Sequence, residues 1–401
     1  MKLHKNLCEA IAGALEQVFV HGEYAHQVME TVLQSNKKWG ARDRSFIAEH
    51  FYAMVRYQRL YSYAAGFDTI ASKEQAWLAL GAYFSAQNLD IPIWLEWQAV
   101  DKDSVLAKLE MGNGIRKIKE SVPNWLDEMA SAELGTTWDT ILPALNTRAP
   151  LCIRVNTIKA TLEAVIDFLQ KETIIYQTVE GMPDALIIDS KKNLTNTFAY
   201  KNGWFEIQDI SSQRVAEWLA VKPGMKVIDA CAGAGGKTLH IAALMQNHGE
   251  IIAIDVEPEK LKQTELRAKR NGATIIQSML YTDGLEKQYK NSADRLLLDV
   301  PCTGLGVLRR QPDTKWKLTP ERVAELVQLQ ASLLDQYATM LAPDGIMVYA
   351  TCSILPSECE EQIKKFIARN TAFKVLDQVK ILPTVGGGDG FYICKLTRSA
   401  T

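Results

Sequence analysis

No apolar run in this 401-residue chain approaches the roughly 20 residues that a helix needs to cross a bilayer, so no membrane span is expected. Cysteine is sparse and oddly counted. There are seven, scattered, with no CxxC pair, which argues against a disulfide framework and against a zinc site, and no metal is expected. Neither sign of charge dominates, because 45 Lys and Arg against 47 Asp and Glu leave a net charge of −2. Gross electrostatics therefore does not announce a nucleic-acid partner, although an even balance can hide a basic face. The opening Met1-Lys2-Leu3-His4-Lys5 leads into a mixed polar and apolar helix, not the apolar core of a secretory signal, and a cytoplasmic location is expected. Repeats and low-complexity stretches are missing too.

What is present is the composition of an ordinary globular protein, 47% hydrophobic and 23% charged, long enough for two or three domains. Residues 1–145 read as helical. Glycine is scarce there, and Phe46, Phe51, Val55, Leu60 and Tyr61 recur at helical spacing. Trp77, Trp94, Trp97, Trp125 and Trp138 suit core anchors better than base-stacking platforms. From 146 to 209 the texture changes to a small α+β unit, with strands over 151–156, 185–188 and 204–208 and a helix over 162–170. Residues 210–401 alternate strand and helix, which implies a doubly wound, mostly parallel sheet. Its strands are expected over 226–230, 251–255, 274–280, 295–299 and 345–350, with helices over 212–220, 238–246, 259–271 and 320–341.

The turn after the first of those parallel strands, Asp229-Ala-Cys-Ala-Gly-Ala-Gly-Gly-Lys-Thr238, is a ligand cradle. Glycines let the backbone approach a ligand, and the helix that follows offers unpaired N–H groups. Three ligands compete. The spacing of Gly233, Gly235 and Gly236 breaks the G-x-G-x-x-G of a dinucleotide site. Gly236-Lys237-Thr238 ends like a phosphate loop, but Cys231 stands where its first glycine should be. S-adenosylmethionine fits best, since it carries no phosphate and needs close backbone and a ribose-binding acid. Asp255 ends the next strand, as such an acid should. Asp283 and Asp299 follow later strands and suit its two ends.

Two cysteines lie just past strand ends, in Pro301-Cys302-Thr303 and Thr351-Cys352-Ser353, with Asp299 beside the first. Ligands bind at that edge of an open α/β sheet. Two thiols and an acid there suit covalent chemistry on an electrophilic carbon. If the acceptor is C5 of a pyrimidine, a thiolate adding to C6 makes C5 nucleophilic. An acid at the N3 edge, Asp299, helps that addition, and Lys237 balances charge. Cys8, Cys152, Cys231, Cys359 and Cys394 read as packing residues.

With these motifs in this order, the sequence resembles the Sun-type (NOL/NOP/Sun) RNA cytosine-5 methyltransferases. The resemblance runs through residues 229–238, Asp299-Val-Pro-Cys-Thr-Gly-Leu-Gly-Val-Leu-Arg-Arg310, Pro312-Asp313, Lys315-Trp316, Tyr349-Ala-Thr-Cys-Ser353 and Gly388-Asp-Gly-Phe391. Upstream, Arg154-Val-Asn-Thr157 and Gly203-Trp-Phe-Glu-Ile-Gln-Asp209 look like the small domain before the catalytic one. The stretch around Arg42-Asp-Arg-Ser-Phe46 and Val55-Arg-Tyr57 is similar to a NusB-like RNA-binding domain. The resemblance implies a class I methyltransferase Rossmann-like sheet, with Cys352 as the nucleophile and Cys302 as the thiol needed for product release. By the same resemblance Asp299 contacts the base with help from Lys237, while Cys231, Ala232, Gly233, Ala234, Gly235, Gly236, Lys237, Asp255, Asp283 and Asp299 line the cofactor site. Arg309, Arg310 and Lys315 are the candidate RNA contacts. Small-subunit (16S) ribosomal RNA is the implied substrate and partner, its cytosine single-stranded or flipped out, and a monomer is expected. Ala234 departs from the family's usual proline, which loosens the loop. A phosphate-loop NTPase, a non-catalytic RNA-binding assembly factor and a small-molecule or protein methyltransferase are the competing readings.

Overall fold

A computed structural model describes residues 2–190 and 192–399. The chain falls into two compact units, Met1–Arg148 with Leu308–Pro320, and Ala149–Val307 with Glu321–Thr401.

The first unit is helical. Its helices include Lys5–Phe19, Ala25–Ser35, Ala41–Arg56, Gln58–Ala65 and Lys73–Ala86. Leu7, Ile11, Leu15 and Val18 repeat at helical intervals along the first helix and are buried in a common core with Phe51, Val55, Leu80 and Phe84. Local chemistry sets the starts of two helices. Ser72 accepts the Gln75 N–H at 3.2 Å and Asp101 accepts the Ser104 N–H at 3.2 Å, each satisfying an orphan donor of the first turn. Trp77, Trp97 and Trp138 are buried, and the Trp97 indole donates to the Trp77 carbonyl at 2.7 Å. The segment Leu308–Pro320 completes this unit. Asp313 accepts the N–H of Ala25, the first residue of its helix, at 3.0 Å. Lys315 and Trp316 donate to the carbonyls of Arg56 (2.8 Å) and Val55 (2.9 Å), at the open end of the helix Ala41–Arg56.

The second unit contains two sheets. Strands β1 (Leu151–Val155), β2 (Ile175–Val179), β3 (Met182–Asp189) and β4 (Phe205–Ile207) form an antiparallel sheet in the order β2-β3-β1-β4. The larger sheet holds β5 (Lys226–Asp229), β6 (Glu250–Asp255), β7 (Ile276–Leu280), β8 (Ala293–Asp299), β9 (Leu341–Thr351), β10 (Phe373–Ile381) and β11 (Phe391–Arg398), in the order β10-β11-β9-β8-β5-β6-β7. Strands β7, β6, β5, β8 and β9 run parallel, whereas β11 is antiparallel to β9 and to β10. Apolar runs such as Leu296-Leu297-Leu298 and Met347-Val348-Tyr349-Ala350 are fully buried because helices cover both faces of a parallel sheet.

The helical region, the small α+β sheet and the mostly parallel sheet are those expected. The long helix differs in length. It ends at Tyr337, and a short 3-10 turn delivers the chain into β9 at Leu341, four residues ahead of the expected strand. Sequence reading missed β2 and β10. Both are edge strands whose side chains are largely exposed, so neither carries the apolar run by which a buried strand is recognised.

Candidate active site

Four parallel strands deliver their C-terminal residues to one edge of the larger sheet. β5 ends in Asp229, β6 in Asp255, β8 in Asp299 and β9 in Thr351, next to Cys352. In the register Asp229 pairs with Ala253 and with Leu297, and Asp299 with Ala350. The strand order reverses about β5, the place where open α/β sheets bind ligands.

The glycine turn follows β5. Gly233 and Gly235 have φ of 56° and 79°, the left-handed region that glycine enters without a side-chain clash. A Cβ on Gly235 would also stand 2.7 Å from the Thr264 methyl carbon. The helix Gly236–Leu244 starts there. Asp255 braces the turn from the neighbouring strand, accepting the Gly233 N–H at 2.8 Å through one carboxylate oxygen and the Glu257 N–H at 2.9 Å through the other. Each oxygen keeps a second lone pair for an outside donor. Asp229 accepts the Thr238 hydroxyl at 2.7 Å, while its other oxygen is buried without a partner. Burial pushes its carboxyl up to about 7, aided by the charge of Asp299 and against the pull of the Thr238 hydroxyl.

The small sheet holds the turn from behind. Arg154 donates to the Gly236 carbonyl at 3.0 Å, and Asn156 to the Asn271 carbonyl at 2.9 Å. Glu206, buried, accepts from Arg267 at 2.8 Å and also from Arg270 and Asn271. Arg267 in turn donates to the Ala234 carbonyl at 2.5 Å. Where the resembled family usually has proline, this chain has alanine with its carbonyl fixed by an arginine.

A cavity of about 240 Å³ opens beside the turn, lined among others by Cys231, Gly233, Asp255, Tyr281, Asp299 and Tyr337. The residues present fit S-adenosylmethionine: a close glycine backbone, the Asp255 carboxylate with spare acceptor capacity, and tyrosine rings. Asp283 is not among the lining residues. It is exposed in the turn after β7, and Tyr281 occupies the cavity wall instead.

Of the two cysteines and the Lys237–Asp299 pair, Asp299 itself lines the cavity. Cys302 Sγ and Cys352 Sγ are 3.3 Å apart. Lys237 Nζ donates to Asp299 at 2.5 Å and lies 5.3 Å from the centre of the Phe391 ring. The hydrogen bond with Cys352 holds the Cys302 thiol well above its ordinary range, reinforced by burial and by the charges of Cys352 and Glu358. Burial pulls the Lys237 ammonium down, but the charge and hydrogen bond of Asp299, and then Cys352, outweigh it and raise it.

The structure thus brings Cys302, Cys352, Lys237 and Asp299 together with the glycine turn. It does not place the basic candidates alike. Arg310 is exposed, whereas Arg309 and Lys315 are buried in the first unit. The ammonium of Lys315 donates to the carbonyls of Arg56 and Asn146's side chain, so a direct phosphate contact does not suit it. Sequence reading missed Asp229, Glu358 and the Glu206–Arg267 pair. For Asp229 the signal was available, as the last residue of a strand that opens a glycine turn.

Residues 216–397 match the family described as 16S rRNA methyltransferase RsmB/F, and residues 122–195 match the RsmF/B-like ferredoxin-like domain. A protein of Photorhabdus laumondii named ribosomal RNA small subunit methyltransferase B is 33% identical over 288 residues, covering 69% of this chain and 66% of that protein. The chain therefore matches just under two thirds of that relative's length. Among solved structures, one titled PH0851 aligns over 99% of this chain and 100% of its own, with a TM-score of 0.82 and 24% identity, a likeness of fold. A methyltransferase homologue from Pyrococcus horikoshii aligns over 71% of this chain and 98% of its own, with a TM-score of 0.62 and 26% identity. By these matches, residues 216–397 belong to the family described as 16S rRNA methyltransferase RsmB/F.

Proposed function

We propose that this protein methylates C5 of a cytosine in RNA, with S-adenosylmethionine as donor, 16S ribosomal RNA as substrate and the cytoplasm as its location. The observation that carries this reading is the pair of free thiols 3.3 Å apart beside a lysine–aspartate pair at the ligand edge of the sheet. An NTPase needs neither thiol, and its phosphate-loop lysine would have to face a phosphate where Lys237 here faces Asp299.

Asp255 and the turn Cys231–Lys237 would hold the cofactor. When bound, S-adenosylmethionine supplies an electrophilic methyl group on a sulfonium sulfur. Cys352 adds as thiolate to C6, forming the S–C6 bond, and the displaced ring electrons are taken up as N3 gains a proton. Asp299 delivers that proton, drawn from the pair it shares with Lys237. C5, now nucleophilic, would form its bond to the methyl carbon as the methyl–sulfonium bond breaks, the electron pair going to sulfur and S-adenosylhomocysteine leaving. Solvent water, as base, would take the C5 proton; the C–H electron pair then restores the C5–C6 double bond, the S–C6 bond breaks with its pair leaving on the Cys352 sulfur, and the N3 proton returns to the Lys237–Asp299 pair. Cys302, which keeps its proton, donates to the sulfur of Cys352 and so stabilises the departing thiolate.

The test is transfer from methyl-labelled S-adenosylmethionine to unmodified 16S rRNA transcript, followed by nucleoside digestion. Label is expected in 5-methylcytidine. Cys352→Ala is expected to abolish transfer while S-adenosylmethionine affinity stays within about twofold. Tight ATP binding without S-adenosylmethionine binding would contradict the reading.

A further inference from the structure

Glu358 is an acid with no exposure to solvent, and both of its carboxylate oxygens are engaged by the loops that carry the cysteines. One oxygen accepts the Thr303 N–H at 2.9 Å and the Gln330 amide at 2.9 Å. The other accepts the Thr303 hydroxyl at 2.5 Å and the hydroxyl of Ser353. Thr303 directly follows Cys302, and Ser353 directly follows Cys352. The buried Gln330 also donates to the carbonyl of Pro301, the residue before Cys302, at 2.9 Å. Glu358 itself is fixed, since the Tyr349 hydroxyl donates to its backbone carbonyl at 2.8 Å.

Burying a carboxylate is costly, and an apolar side chain of similar volume would fill the same space with less desolvation. Hydrogen bonds to a carboxylate are stronger and more directional than those between neutral groups, so what such a group gives in return is alignment. Here the aligned parts are two loops 50 residues apart in sequence whose sulfurs meet at 3.3 Å. We propose that Glu358 is a positioning residue that sets the separation of Cys302 and Cys352 by anchoring the residue after each. The proposal rests on the reading of Cys352 as nucleophile and Cys302 as release thiol. It extends that reading to a third group that touches neither substrate nor cofactor. Its charge also adds to the causes that keep the proton on Cys302.

Three variants of the full chain test this: Glu358→Gln, Thr303→Val and Ser353→Ala. The first readout is the pH profile of iodoacetamide alkylation at Cys302, measured by peptide mass spectrometry without RNA or S-adenosylmethionine. Glu358→Gln is expected to shift its midpoint to lower pH by about half a unit or more, because a negative charge is lost. The second readout is single-turnover methylation of 16S rRNA transcript with the covalent adduct followed on denaturing gels. Glu358→Gln is expected to slow turnover about tenfold, with S-adenosylmethionine affinity within about twofold. Thr303→Val, which frees the release side, is expected to raise the adduct fraction about threefold, whereas Ser353→Ala, which frees the attack side, slows adduct formation about tenfold. An unshifted alkylation profile with unchanged turnover in Glu358→Gln would overturn the proposal. So would the three variants losing folding and cofactor binding in parallel. If Glu358→Gln does not fold, the opposite responses of the other two decide. A wild-type chain that neither methylates nor forms adduct refutes the functional reading, and the alkylation profile then decides the clamp by itself.

Discussion

Lys237 is part-buried and Lys315 buried, and their neighbours drive them in opposite directions. Lys237 faces the Asp299 carboxylate, which holds it charged. Lys315 donates to a carbonyl and an amide oxygen, and burial, with the charge of Arg56 and against that of Glu120, pulls its ammonium down to about 7. A lysine whose charge is so costly is a helix-end cap, not an RNA contact. The sign of its effect on stability follows. Its folded pKa lies below its unfolded value of 10.5, so its contribution is complete above that value and is lost as pH falls through about 7. The stability of the wild type relative to Lys315→Met should therefore rise between pH 7 and 10.5, as read from melting temperatures of the full chain. Parallel curves would contradict this. Sequence alone read Lys315 as a candidate RNA contact, because burial is set by segments hundreds of residues away. Glu358 was overlooked because its partners come from other loops, up to 55 residues away, and Ser357-Glu358-Cys359-Glu360-Glu361 looks like a solvated acidic stretch.

At the scale of elements, the strands that matter most for function were the legible ones. β5, β6, β8 and β9 are buried on both faces, so their apolar runs and terminal polar residues could be read off directly, and with them Asp255, Asp299, Cys302 and Cys352. The edge strands β2 and β10 bury little and left no such mark. Pairings between elements were illegible altogether. The anchoring of the glycine turn by β4, through Glu206, Arg267 and the Ala234 carbonyl, is one of these. It answers the loosening expected from alanine at 234 with a tether in place of a ring. Although burial alone would raise the Glu206 carboxyl, Arg267, Asn271 and Arg270 hold it below the usual range. Glu206→Gln should weaken S-adenosylmethionine binding about fivefold in calorimetry, by freeing Arg267 from its anchor. Its stability deficit should shrink as pH falls below about 4.5, where the unfolded carboxyl takes up a proton before the folded one does, and disappear once the folded carboxyl is protonated too. A variant with a lower melting temperature but unchanged affinity would show that the tether does not reach the cofactor site.

Over the whole molecule, the three expected regions are present, but the course of the chain differs from a simple series. Residues Leu308–Pro320, which follow the Cys302 loop in sequence, belong to the helical unit, where they cap the ends of two of its helices. A motif read as part of the catalytic domain thus has a structural task in the other unit. The account as a whole depends on a transient bond between Cys352 and a pyrimidine ring. The most direct measurement is mass spectrometry of nuclease-trimmed, protease-digested Cys302→Ala protein after incubation with 16S rRNA transcript and S-adenosylmethionine. The account predicts a methylated cytidine adduct on the peptide containing Cys352, at a level well above that of the wild type. Attachment at another residue, or no adduct from protein that binds both RNA and S-adenosylmethionine, would contradict it.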